Sequence, residues 1–207
     1  SSMDKKKEKN KFDNKFGVTI SAGTEPSFVS LNKLGKETLW YGGGLSYNIS
    51  KRLTLRSGFY YSKKIYYSTP DQYHNTIYTN LTGIEADCKV YEIPVSLSYN
   101  FAQNKNHSWF GSAGLSTFLM KKENYDYQYK TSGGVYYDYK RQVDNENKHY
   151  FAVLNLSAGY QYNFSKRFSL QAEPFVKIPL AGVGLGKIKL NNAGFLFTLT
   201  IKPFAKR

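Results

Sequence analysis

Apolar and aromatic residues recur at every second position in eight separate runs of this chain, and that period restricts its fold more than any other feature. Leu39, Tyr41, Gly43, Leu45, Tyr47 and Ile49 form one series, Tyr91, Ile93, Val95, Leu97 and Tyr99 another, and Tyr150, Ala152, Leu154, Leu156, Ala158, Tyr160 and Tyr162 a third. A period of two sorts side chains onto the two faces of an extended strand. The runs cover residues 15–23, 37–49, 52–63, 88–100, 108–120, 149–162, 167–178 and 191–203. Each is close to, or slightly beyond, the roughly 9–11 residues a tilted strand needs to cross a bilayer.

The joints between runs repeat as well. YNISKRLTL at 47–55 and YNFSKRFSL at 162–170 are nearly identical, and Tyr99-Asn100-Phe101 followed by AQNKNHS is a third of the kind. Asn, Ser and Lys-Arg suit a chain reversal between two strands. Long connections alternate with these short ones, the longest running from Lys121 to Lys148. Short and long connections therefore fall on opposite rims of an antiparallel meander, and an even number of strands closes on itself without edges. The expected fold is all-β: an eight-stranded antiparallel up-and-down transmembrane β-barrel over residues 14–204, preceded by a disordered basic tail over 1–13.

The choice between a membrane barrel and a soluble one turns on which parity is apolar. Opposite the Leu and Tyr set lie mostly small or uncharged residues, among them Thr19, Ser21, Ser46, Ser98, Ser112, Ser116 and Thr198, with four charges in mid-strand: Arg56, Glu92, Glu173 and Lys177. A narrow polar lumen filled by its own side chains takes this pattern, and because buried charges must pair, these four are expected to join in one interior ionic network. The aromatics share the lipid-facing parity and gather at strand ends, as in the girdles of membrane barrels. Tyr47, Tyr99, Trp109 and Tyr162 are the expected interface anchors. Lys51, Arg52, Lys166 and Arg167 are expected to meet lipid headgroups beside them.

A net charge of +14 and a pI near 9.6 raise nucleic acid as a partner. The basic residues gather instead in the N-terminal DKKKEKNKFDNK and at hairpin ends, including Lys63, Lys64, Lys121 and Lys122. Such placement suits anionic lipid headgroups. Expected partners are outer-membrane lipid and lipopolysaccharide, with a periplasmic or extracellular protein or glycan as a further partner, no nucleic acid, and a monomeric barrel. The single Cys88 excludes an internal disulfide. Ser1-Ser2-Met3 reads as an expression remnant, leaving room for a native signal or upstream domain ahead of Asp4.

With these residues in hand, the chain resembles the PorT-like small outer-membrane β-barrels of Bacteroidota. The resemblance lies in Tyr91-Glu92-Ile93-Pro94-Val95, in the N-[IF]-SKR turns, and in Glu173-Pro174-Phe175-Val176-Lys177-Ile178-Pro179-Leu180 followed by Gly182, Gly184 and Gly186. It implies an eight-stranded barrel of a Gram-negative envelope and fixes no task. Some similar barrels form the C-terminal part of dual membrane-spanning anti-sigma factors, and DKKKEKN could end the tether of such a protein or be a short mature N-terminus.

No catalytic constellation, metal site or cofactor motif is expected. His74, His107 and His149 share no neighbourhood in the sequence; His149 with a nearby Ser and Glu is the one arrangement suggesting a hydrolase. GGG at 42–44 and GVGLG at 182–186 lack the strand-to-helix context of a phosphate loop and suit close packing. Two segments, KIYYSTPDQYHNTIYTN and NYDYQYKTSGGVYYDYKRQ, are rich in tyrosine. They suit either recognition of a protein or glycan or continuation of the sheet above the membrane with tyrosines paired across strands. The expected role is a non-enzymatic outer-membrane anchor, sensor or recognition barrel with both termini in the periplasm. The alternatives are a small-solute or lipid-handling barrel and a lipid-modifying enzyme.

Overall fold

The computed structural model describes residues 15–30, 33–73 and 80–204; the tail over 1–13 and His74 lie outside the described residues. Eleven strands follow in order: β1 Phe16–Thr24, β2 Ser27–Ser30, β3 Lys33–Leu34, β4 Leu39–Asn48, β5 Leu53–Ser68, β6 Leu81–Gln103, β7 His107–Lys130, β8 Tyr136–Asp144, β9 Lys148–Asn163, β10 Phe168–Pro179 and β11 Asn191–Ile201. Eight of them, β1-β4-β5-β6-β7-β9-β10-β11, form an antiparallel ring that closes where β1 pairs β11, with Ile20 opposite Leu199. All eight correspond to the runs read from the sequence. The other three are additions to that reading: β2 and β3 lie in the first connection, and β8 continues the sheet by pairing β7.

Both SKR joints turn by the same device. The Ser50 hydroxyl accepts the backbone N–H groups of Arg52 at 3.2 Å and Leu53 at 3.0 Å. Ser165 does the same for Arg167 at 3.1 Å and Phe168 at 3.2 Å. A serine hydroxyl imitating a backbone acceptor closes the turn in few residues. Nearly identical nonapeptides thus make nearly identical corners.

Outward positions are apolar around the ring, including Ile20, Leu45, Leu55, Phe59, Leu97, Phe195 and Phe197, all exposed, while Thr19, Ser21, Ser98, Ser116, Thr198 and Thr200 are buried inside. That inversion of a soluble protein's plan is the signature of a barrel whose solvent is lipid. The GGG run lies where β4 passes the Tyr60 ring: a Cβ on Gly42 would fall 2.8 Å from its Cδ1.

Three strands outrun the expectation: β5 has 16 residues, β6 has 23 and β7 has 24. Their outer halves reverse the polarity of the two faces. On β6, outward Tyr91, Ile93 and Val95 give way to outward Lys89, Asp87 and Glu85, while inward Glu92, Ser96 and Ser98 give way to inward Val90, Cys88 and Ala86. Tyr66, Tyr73, Ile84, Cys88, Val90, Met120, Tyr125, Tyr127 and Tyr129 then pack into one buried cluster with Val183, Ile188 and Leu190 of the last connection. This upper part follows the plan of a water-soluble core.

Candidate functional site

The lumen carries its charges in two groups. Toward the rim of short turns, Arg56 meets Glu173 at 3.0 Å and donates to Gln171 at 3.0 Å and Ser112 at 2.7 Å, with its guanidinium 5.3 Å from the centre of the Phe110 ring. Higher up, Lys177 sits between Glu92 at 2.6 Å and Glu25 at 2.7 Å, and Glu25 also pairs with Lys64. The Lys177 ammonium lies 3.6 Å from the centre of the Trp40 ring. Glu92 accepts from Ser116 at 2.5 Å, and Asn155 donates to Ser116 at 2.5 Å. Three cations thus face three carboxylates.

The four charges singled out from sequence therefore fall into the Arg56–Glu173 pair and the Lys177–Glu92 pair, with no ion pair joining the two groups among the described residues. Two members of the upper group went unread. Glu25 lies in the connection after β1, and the sequence places Lys64 among the basic residues at a hairpin end. Lys64 is instead fully buried, because β5 continues and position 64 keeps the inward parity of Arg56, Tyr60 and Ser62. That parity was the available signal. Glu25 lies outside the membrane-spanning strands; burial raises its carboxyl, and the ammonium groups of Lys177 and Lys64 outweigh that and hold it below its ordinary value.

These groups close the barrel. Tyr60, Phe110 and Phe118 are buried within it, and the remaining void beside Arg56 and Trp40 is about 60 Å³. Above, the turn at Gly184, whose φ of +70° requires the left-handed region, folds the last connection over the mouth. Tyr73 and Tyr127 join hydroxyls there at 2.8 Å. His149 faces this cap: its Nε2 accepts the Gly184 N–H at 2.9 Å. Glu123 beside it takes Tyr125 at 2.5 Å and Asn147 at 2.6 Å. The imidazole lone pair that a hydrolytic base would use is thus occupied, and no serine hydroxyl bonds to His149 among the described residues.

Tyr47, Tyr99 and Trp109 are exposed on the outward face of the short-turn rim, and Tyr162 is half-buried there. Trp109 packs on Tyr160 at 5.1 Å, and Tyr162 on His107 at 5.0 Å and Phe164 at 4.9 Å. Lys51, Arg52 and Lys166 are exposed at the turns and Arg167 is half-buried; Arg52 donates to Tyr99 at 3.4 Å. The same rim opens into a polar vestibule of about 450 Å³ floored by Arg56, Gln171 and Ser169. The tyrosine-rich segments divide between the two readings they allowed. Tyr66, Tyr73, Tyr125, Tyr127 and Tyr129 are buried in the cap, whereas Tyr136, Tyr137 and Tyr139 of β8 and its turn are at least half exposed.

The sequence matches no protein family and no curated protein. Many solved structures share the fold; two of them illustrate the likeness. Neisserial surface protein A (NspA) superposes with a TM-score of 0.54 and 16% identity over 90% of this chain and 96% of that one. Ail, the attachment invasion locus protein of Yersinia pestis, superposes with a TM-score of 0.51 and 14% identity over 91% of this chain and 97% of that one. Both are small eight-stranded outer-membrane barrels, and at these identities the likeness establishes the fold.

Proposed function

We propose that this chain is a non-enzymatic recognition barrel of the outer membrane that holds a rigid tyrosine-rich hairpin above the lipid for an extracellular protein or glycan. The observation carrying this reading is the division along β7. Its lower half lines the filled lumen, its upper half builds the buried cap, and the hairpin beyond the cap exposes Val135 with the tyrosines Tyr136, Tyr137 and Tyr139. Tyrosine supplies wide, amphipathic contact at small entropic cost, and stacking fixes these rings: Tyr137 lies on Tyr129 at 5.1 Å and 10°. Strand β8 pairs only with β7 among the described residues, so its other edge has backbone donors and acceptors for an added strand.

Short turns on the periplasmic side and long strands outside is the usual arrangement of such barrels; it puts both termini in the periplasm. The closed ring leaves no lateral strand edge inside the membrane and favours a monomer surrounded by lipid and lipopolysaccharide. A transport role is disfavoured by the filled lumen, and lipid hydrolysis by the occupied His149. The resemblance to barrels of dual membrane-spanning anti-sigma factors adds a second version in which the hairpin is the sensing end. A polar tether, hydrophobic helix and small cytoplasmic domain encoded upstream would support that version; a signal peptide directly ahead of Asp4 would remove it.

Orientation is tested by labelling single cysteines in intact cells with a membrane-impermeant maleimide. Tyr139→Cys is expected to react at once and Ser50→Cys only after the outer membrane is permeabilised, with Cys88 silent because it is fully buried. The reverse pattern would turn the barrel over and sink the extracellular reading.

A further inference from the structure

A row of lysines crosses the outward face just where the strands change polarity. Lys63 of β5 stands opposite Lys89 of β6, and Lys89 stands opposite Lys122 of β7. A bulge there adds Lys121, and Lys148 of β9, opposite Leu119, is one diagonal step from it. Directly opposed residues are about 5 Å apart, and like charges in that relation repel. Of these lysines, among the described residues, only Lys63 forms an ion pair, with Asp87 at 2.7 Å. Asp144 is the register partner of Lys122 without an ion pair between them, and Glu85 lies beyond Asp87 on the same face. Lys89, Lys121 and Lys148 are exposed.

The row immediately below is Tyr41, Tyr61, Tyr91 and Leu119, also in continuous register. The aromatic rings pack in sequence, Tyr41 on Tyr61 at 5.5 Å and Tyr61 on Tyr91 at 5.9 Å. An aromatic row marks the boundary between hydrocarbon and headgroup. The lysines therefore stand at headgroup height with their stems over the apolar edge. Lys thus opposes Lys across three strands at that height.

We infer that this collar is a binding site for the phosphates of a phosphorylated glycolipid, whose acyl chains lie against the Tyr41–Tyr61–Tyr91–Leu119 row. The leaflet concerned follows from the orientation proposed above, but the binding chemistry is independent of it. An ammonium meets phosphate as a mobile point charge with three donors, so several lysines on adjacent strands can bracket one sugar headgroup carrying two phosphates. The second partner of the sheet is then lipid on one flank, apart from whatever the β8 hairpin meets.

The test uses the full chain in zwitterionic micelles, titrated with bis-phosphorylated lipid A, with its dephosphorylated form and with inorganic phosphate. The collar variant is Lys89→Gln/Lys122→Gln/Lys148→Gln; the control, at exposed lysines of the connections after β6 and β10 that are given no lipid contact, is Lys105→Gln/Lys187→Gln/Lys189→Gln. The phosphorylated lipid is expected to bind the wild type in a salt-sensitive manner. The collar variant should be weaker on the order of 100-fold and Lys89→Gln alone about fivefold, from the attraction of basic residues to an anionic headgroup surface. The control variant, the dephosphorylated lipid and inorganic phosphate should show no such effect. Without lipid the collar variant should melt above the wild type, because repulsion has been removed, and with phosphorylated lipid it should melt below. Equal affinity in wild type and collar variant, equal loss in the control, displacement by millimolar phosphate, or an unchanged order of melting would each overturn the site. The assay holds whichever way the barrel faces in the cell, so its failure is distinct from failure of the labelling test.

Discussion

Lys177 is a fully buried ammonium bracketed by two carboxylates and the face of Trp40, and its charge is tolerable only while that company lasts. Glu92→Leu leaves Lys177 sharing Glu25 with Lys64 and strips Ser116 of its acceptor. Breaking a buried pair from one side costs about 3–5 kcal/mol. The loss should appear as a lower midpoint in urea unfolding from micelles. Adding Lys177→Met restores neutrality, since Glu25 and Lys64 then balance, so the double variant is expected to recover most of the loss; a sum of two independent penalties would show that the groups do not couple. Arg56, Glu92, Glu173 and Lys177 were legible because each is a lone charge on a polar parity. Glu25 was not, since it stands in a connection where no period applies.

Strands β5, β6 and β7 each pass through two solvents, and that explains where their sequences misled. In lipid the apolar side faces out; above lipid the same strand must face its apolar side in. The alternation continues without a break while its meaning reverses, near Ser62–Lys64 on β5, Lys89–Val90 on β6 and Met120–Glu123 on β7. A search for one apolar parity stops at these points and assigns the remainder to loops. The cap should therefore be separable in stability from the barrel. Tyr127→Ala removes a fully buried ring from the cap, a change costing about 3–5 kcal/mol. It is expected to expose the β7–β8 hairpin to limited proteolysis while the lower barrel keeps its resistance. Loss of resistance in both parts would show one cooperative unit.

Across the whole molecule, the ring, the paired lumen charges and the aromatic cap act in series, and each alone would impede a solute. Eight strands enclose only enough room for their own side chains, and the void beside Arg56 and Trp40 is about 60 Å³. The lumen's three cations match its three carboxylates, so the net charge of +14 comes from residues other than these. A barrel filled in this way is expected to conduct nothing. Single-channel recording in planar bilayers tests this most directly. Wild-type chain inserted from detergent should give no steps above baseline in 1 M KCl, where an open ring would conduct. Stable ohmic steps from the wild type would contradict the sealed lumen and return the barrel to the class of pores.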